Sequence, residues 1–104
     1  MKYSIYQLDH HNENVLRDHK LFESWDMLNR TAGFNFNQYQ LVWEEETNFD
    51  EKLDDITILE NLFTKFNINH PKSFYGHSLS VSDVVILDDK MYYCDSFGWK
   101  KINE

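Results

Sequence analysis

Asp83, Asp95 and His77 are the residues of this chain best suited to chemistry. A tight turn expected at Asp88-Asp89-Lys90 would close a hairpin and bring the two carboxylates near one another. Two close carboxylates with a histidine at the strand entrance could hold a divalent ion for phosphodiester chemistry. The competing reading is structural, and it is preferred because no cluster of Lys or Arg stands beside the pair to hold a phosphate. Gly76-His77-Ser78-Leu79-Ser80 comes within one residue of a nucleophile elbow. That motif needs a closing glycine and a following helix, and here a serine and a strand pattern follow. His10 and His11 are adjacent, so their side chains diverge, and His19 with Glu23 is a lone helical pair, so no metal site is expected. No glycine-rich phosphate loop is present, and no cofactor is expected. These residues imply a non-enzymatic domain.

The elements that must position these residues begin with the block from Gly76 to Trp99. Ser78, Ser80 and Ser82 alternate with Leu79 and Val81, the period of a strand wet on one face. Val84 to Leu87 is wholly apolar, as a strand covered on both faces would be. The three serines are therefore expected to line an exposed strand edge, able to hydrogen-bond a partner. Asp83, at the change of pattern, is expected to cap a turn or sit hydrogen-bonded in a bulge, because a bare buried carboxylate is costly.

Phe74, the run Gly76-His77-Ser78-Leu79-Ser80-Val81-Ser82-Asp83-Val84-Val85 and the later Tyr92-Tyr93-Cys94-Asp95-Ser96-Phe97-Gly98-Trp99 carry a family resemblance. In these residues the chain resembles the YodL-like family, small domains of conjugative elements, plasmids and phages of low-GC Gram-positive bacteria. Weaker echoes at Tyr3 to Leu8, Tyr39 to Trp43, Phe66-Asn67 and Pro71 extend it over nearly the whole chain. Cys94 and Trp99 depart from the aliphatic residue and phenylalanine of that pattern while keeping its apolar character. The resemblance implies a mobile-element context rather than a particular chemistry.

Upstream of that block, a strand is expected at Lys2 to Leu8 and a helix at Asn14 to Arg30, with Leu21, Phe22, Trp25 and Leu28 as its core stripe and Gly33 as its left-handed cap. A second strand follows at Tyr39 to Glu45, with Tyr39, Leu41 and Trp43 on one side. A second helix starts at a Thr57/Glu60 capping box and buries Leu59, Leu62, Phe63 and Phe66. With the hairpin and a last strand near Trp99 to Ile102, the order implies an α+β domain: a mainly antiparallel sheet of about five strands with two helices on one face. At 104 residues and 41% hydrophobic content, residues 1–104 make one domain. The lone Cys94 cannot form an internal disulfide, and no segment has the length and apolarity of a membrane span, so a cytoplasmic setting is expected.

Charge supplies the functional expectation. Eighteen acids against ten Lys and Arg give a net charge of −8, which argues against direct nucleic acid binding. Glu44, Glu45, Glu46, Asp50, Glu51, Asp54 and Asp55 are opposed in their stretch by Lys52 alone. Such a run is either a solvated surface or a patch that enters a basic groove by imitating phosphates. Taken with the mobile-element context, it leads to the expectation of a small acidic inhibitor that binds a host defence protein stoichiometrically, a CRISPR nuclease or restriction enzyme. The expected contacts are those seven acids together with Ser78, Ser80 and Ser82. A protein-interaction module of plasmid replication or transfer is the rival class, and a metal-dependent nuclease using Asp83 and Asp95 the third.

Overall fold

The apolar run Val84–Leu87 occupies the middle of the molecule, where a strand with no polar face belongs. The computed structural model describes residues 1–50, 52–74 and 76–102. Its strands are β1 (Lys2–Leu8), β2 (Tyr39–Glu46), β3 (Val84–Leu87), β4 (Lys90–Cys94) and β5 (Trp99–Ile102). They form one open sheet in the order β2-β1-β3-β4-β5, and every neighbouring pair is antiparallel. The expected α+β class, five-stranded sheet and hairpin turn at Asp88-Asp89 are all present.

The helices depart from expectation in number and placement. Among the described residues there are three α-helices, α1 (Glu13–Arg17), α2 (Trp25–Arg30) and α3 (Asp55–Ile68), and they serve both faces of the sheet rather than one. Tyr3, Ile5, Val85, Leu87 and Tyr92 face Ile58, Leu59, Leu62 and Phe66 of α3. Their strand neighbours Tyr6, Val84, Ile86 and Tyr93 point the other way, toward Leu28 and Trp25 of α2 and the rings of Phe34 and Phe36. The period of two makes each strand supply both clusters.

The single helix expected at 14–30 is split by a C-terminal cap that lacks its usual glycine. His19 takes φ 54, its N–H donates to the Leu16 carbonyl at 3.3 Å, and the Lys20 N–H donates to the Val15 carbonyl at 3.2 Å. The chain then runs through Phe22, also left-handed at φ 62, until Ser24 caps α2 by accepting from the Met27 N–H. Phe22 is consequently 58% exposed instead of lying in the core stripe. Gly33 ends α2 as expected, at φ 80 with its N–H on the Leu28 carbonyl.

Helix α3 begins before the expected capping box. Asp54 is the cap, its carboxylate accepting from the Thr57 N–H at 2.9 Å. The expected alternation of β2 breaks at a bulge: Ile5 pairs with Trp43 and Tyr6 with Leu41, so Val42 is the extra residue. Tyr39 therefore packs on the α2 side while Trp43 packs on the α3 side.

Phe66 is fully buried between Tyr3, Trp43 and Phe74, whereas Phe63 and Trp25 are only partly covered. Phe66→Ala should cost about 3–5 kcal/mol and Phe63→Ala distinctly less. Urea denaturation measures both, and equal losses would contradict this placement of the core.

Candidate functional site

Asp83 does not reach a shared metal site with Asp95; each carboxylate is committed to its own loop. Asp83 is 1% exposed, and its Oδ2 accepts from the Ser80 N–H at 2.8 Å and from Gln7 Nε2 at 3.1 Å. Its own N–H donates to the Ser80 carbonyl at 3.1 Å, closing the turn that precedes β3. Asp95 Oδ1 accepts from the Trp25 N–H at 3.1 Å and from the Ser96 N–H at 2.8 Å, so it ties the β4–β5 turn to the start of α2. Among the described residues, no three His, Cys, Asp or Glu side chains gather to hold an ion.

His77 lies beside Asp83, with Nε2 3.8 Å from Asp83 Oδ1. Its Nδ1 is 2.7 Å from the Ser78 carbonyl and 3.4 Å from Gln7 Nε2. The nearby Ser82 hydroxyl is 3.1 Å from the Phe22 nitrogen and accepts from its N–H. Rings from two further segments close over the group, His10 at 4.9 Å from His77 and Phe22 at 6.3 Å between centroids. Burial, followed by the nearby charges of His77 and His11, lowers the His10 pKa.

The turn from Ser80 to Asp83 replaces the expected serine edge. Residues 76–83 form no strand, and β3 begins at Val84 in the sheet interior. Ser82 takes φ 84, a left-handed conformation that favours glycine at the third position of such a turn. Three contacts hold it there. Its N–H donates to the Cys94 carbonyl at 2.9 Å, its carbonyl accepts from the Tyr39 hydroxyl at 2.6 Å, and its Oγ takes the Phe22 N–H. The three serines accordingly share no face: Ser78 is exposed, Ser82 is buried, and the Ser80 Oγ is enclosed without a hydrogen-bond partner among the described residues.

The acidic run is gathered at the opposite end of the sheet, on the end of β2 and the start of α3. Glu44 pairs with Lys2, and Glu46 with the amino group of Met1 at 3.3 Å. Glu45 accepts from the Tyr3 hydroxyl at 2.7 Å and lies 3.8 Å from Lys65, contacts that lower its pKa, the tyrosine bond most. Asp55 is bound by Lys90 at 2.6 Å and by the Tyr92 hydroxyl at 2.5 Å, and these partners likewise lower its pKa, Lys90 first. Asp54 caps α3, and Asp50 accepts from the Lys52 N–H at 3.0 Å. Glu51 lies outside the described residues. Glu46, Asp50 and Asp54 remain exposed, Glu46 with three-quarters of its side chain in solvent.

The model of one family, described as a YodL-like domain, matches residues 2–104. The chain belongs to the YodL-like domain family. No curated protein and no solved structure matches it. Within this YodL-like domain the sequence singled out Asp83 and His77, but it gave Gln7 no role, set His10 aside as a metal ligand and put Phe22 in a core stripe, and these three complete the surroundings of the pair. Gln7 left one signal, a polar side chain in a strand whose neighbours Ile5 and Leu8 are apolar. His10 and Phe22 left none, because only the tertiary fold brings them to His77.

Burial pushes the Asp83 pKa up to about 8, against the bonds from Ser80 and Gln7 that favour its charged form. The unfolded chain ionises this group near pH 4, so between about pH 4 and 8 folding takes up a proton and stability falls as pH rises. Asn in its place keeps an oxygen to accept both N–H groups and removes the titration. Asp83→Asn should fold and lose less stability than the parent between pH 5 and 8.5, in urea midpoints compared at each pH. Parallel pH profiles for the two proteins would refute it.

Proposed function

We propose that this protein acts by stoichiometric binding to a basic surface of a protein partner, and that the partner is a nuclease of host defence, of the CRISPR or restriction type. The acidic end enters the groove in which that nuclease binds DNA. The observation that carries this reading is the collection of Glu44 and Glu46 on β2, Asp54 at the cap of α3 and Asp50 in the loop between them at one end of the sheet, the first three at positions fixed by pairing and capping. Fixed carboxylates lose little freedom on binding, and their field steers a basic partner toward them. The commitment of Asp83 and Asp95 to separate hydrogen-bonded turns favours binding over metal-assisted hydrolysis. The mobile-element context implied by the family resemblance supports the choice of a defence nuclease over a replication or transfer protein.

The roles of the individual acids divide the test. Glu45, Asp54 and Asp55 also serve the fold, whereas Glu44, Glu46 and Asp50 can be neutralised with little structural cost. A Glu44→Gln/Glu46→Gln/Asp50→Asn protein should remain folded by circular dichroism. It should bind a purified defence nuclease about tenfold more weakly, since each exposed charge pair contributes a fraction of a kcal/mol. Added salt screens such charges over about 8–10 Å, so the parent complex should weaken with salt more steeply than the variant complex. Capture of a relaxase or replication protein in place of a nuclease would move the assignment to the rival class. Equal affinities and equal salt slopes would remove the acidic end from the interface.

A further inference from the structure

Helix α3 and the β4–β5 turn do not close on one another. Between them lies a cleft of about 170 Å³ lined by Glu60 and Phe63 of α3, Val81, Cys94, and Asp95 and Trp99 at the two sides of the turn. A cavity of about 150 Å³ holds a molecule the size of benzene, so this cleft has room for a single side chain. Its lining combines two aromatic rings with two carboxylates. Aromatic faces attract cations through their quadrupole, and carboxylates do so through charge.

The acids of this cleft share with Asp50 and Asp54, and not with the other described acids of the run, the lack of a cation of their own. Among the described residues, Glu44, Glu45, Glu46 and Asp55 are all ion-paired, and neither Glu60 nor Asp95 is. Asp95 spends one oxygen on the N–H groups of Trp25 and Ser96. Burial first, then the neighbouring Asp83, Glu60 and Asp95, push the Cys94 thiol beside the cleft up to about 12.

The turn beside the cleft is built to be stiff and to carry an anchor. The Asp95 N–H donates to the Gly98 carbonyl at 3.0 Å, and Gly98 takes φ 76, a conformation suited to glycine. Phe97 on this turn is 97% exposed. A free small amine would leave that ring in water, whereas the chain carrying a cationic side chain would cover it. We propose that the cleft between α3 and the β4–β5 turn binds one lysine or arginine side chain of a protein partner, with Glu60 and Asp95 as counter-charges and Phe63 and Trp99 as aromatic contacts. The site rests on residues outside the acidic run, so it stands or falls separately from the reading of that run.

The test uses an acetylated, amidated arginine as probe, titrated into the whole chain and followed by ¹⁵N–¹H correlation spectra. Saturable shifts are expected at the amides of Ser96 and Gly98 and at the Trp99 indole N–H. The citrulline analogue, equal in shape but uncharged, should give none. Glu60→Gln, on an exposed helix position and so compatible with the fold, should weaken the arginine by about fivefold, equivalent to about 1 kcal/mol. Glu13→Gln, a neutralisation on α1, should leave it unchanged. The absence of saturable shifts, equal shifts from arginine and citrulline, or equal loss in both variants would each overturn the proposal.

Discussion

The side-chain amide of Gln7 is the contact on which one whole end of the molecule depends. It works at both of its ends, accepting from the His77 N–H at 3.2 Å and donating to the His77 carbonyl at 2.9 Å and to Asp83 Oδ2. A side chain of β1 thus satisfies a backbone segment that has no strand of its own to pair with, at a position only 3% exposed. The chain passes so close that a Cβ at Gly76 would collide with the Gln7 amide oxygen and with the Phe74 ring. Once residues 76–83 are held there, the rest of the end follows. Asp83 and Ser82 join to Cys94, Ser82 receives Tyr39 and Phe22, and Asp95 receives Trp25.

The two faces of the sheet are secured differently. On one side a fourteen-residue helix lays four fully buried side chains across β1, β3 and β4. On the other, a six-residue helix supplies Leu28, and aromatic rings do most of the covering: Trp25, Phe34 and Tyr93 meet at 5.0 to 6.3 Å, with Phe36 against Tyr6 and Tyr39. Short helices contribute little by themselves, so the α2 face relies on large rings with edge-on contacts and on capping bonds from Ser24 and Asp95.

What the sequence disclosed follows from the range of the physics involved. Strands, their order of appearance, the hairpin turn and the left-handed Gly33 are written in local periodicity and turn chemistry, and all were legible. The split of the 14–30 helix was not, because His19 and Phe22 adopt left-handed backbone without the glycine that signals it. The serine alternation misled for a related reason. Ser82 is held at φ 84 by Tyr39 and Phe22, residues 43 and 60 positions away, and no local pattern reports such partners. The division of helices between two faces was likewise hidden, since a strand buried on both sides shows that both are covered without showing by what. Of the site, Asp83 was marked by its place at a change of pattern, while its partners were scattered over β1 and two loops.

The open sheet leaves β2 at one border, and the ladder fixes what that border presents. Met1 and Thr47 exchange both backbone hydrogen bonds, so by alternation Tyr3 with Glu45 and Ile5 with Trp43 do the same, while Glu44 and Glu46 turn their N–H and C=O groups outward. Those outward groups are a template on which another extended chain could assemble, and the residues that bear them carry carboxylates. Two copies meeting along this border would align glutamates with no intervening cation except those each copy already uses. The same side chains that make the surface acidic therefore guard the protein against edge-to-edge aggregation, so replacing them with neutral or apolar residues lowers its solubility at high concentration even where the fold is untouched.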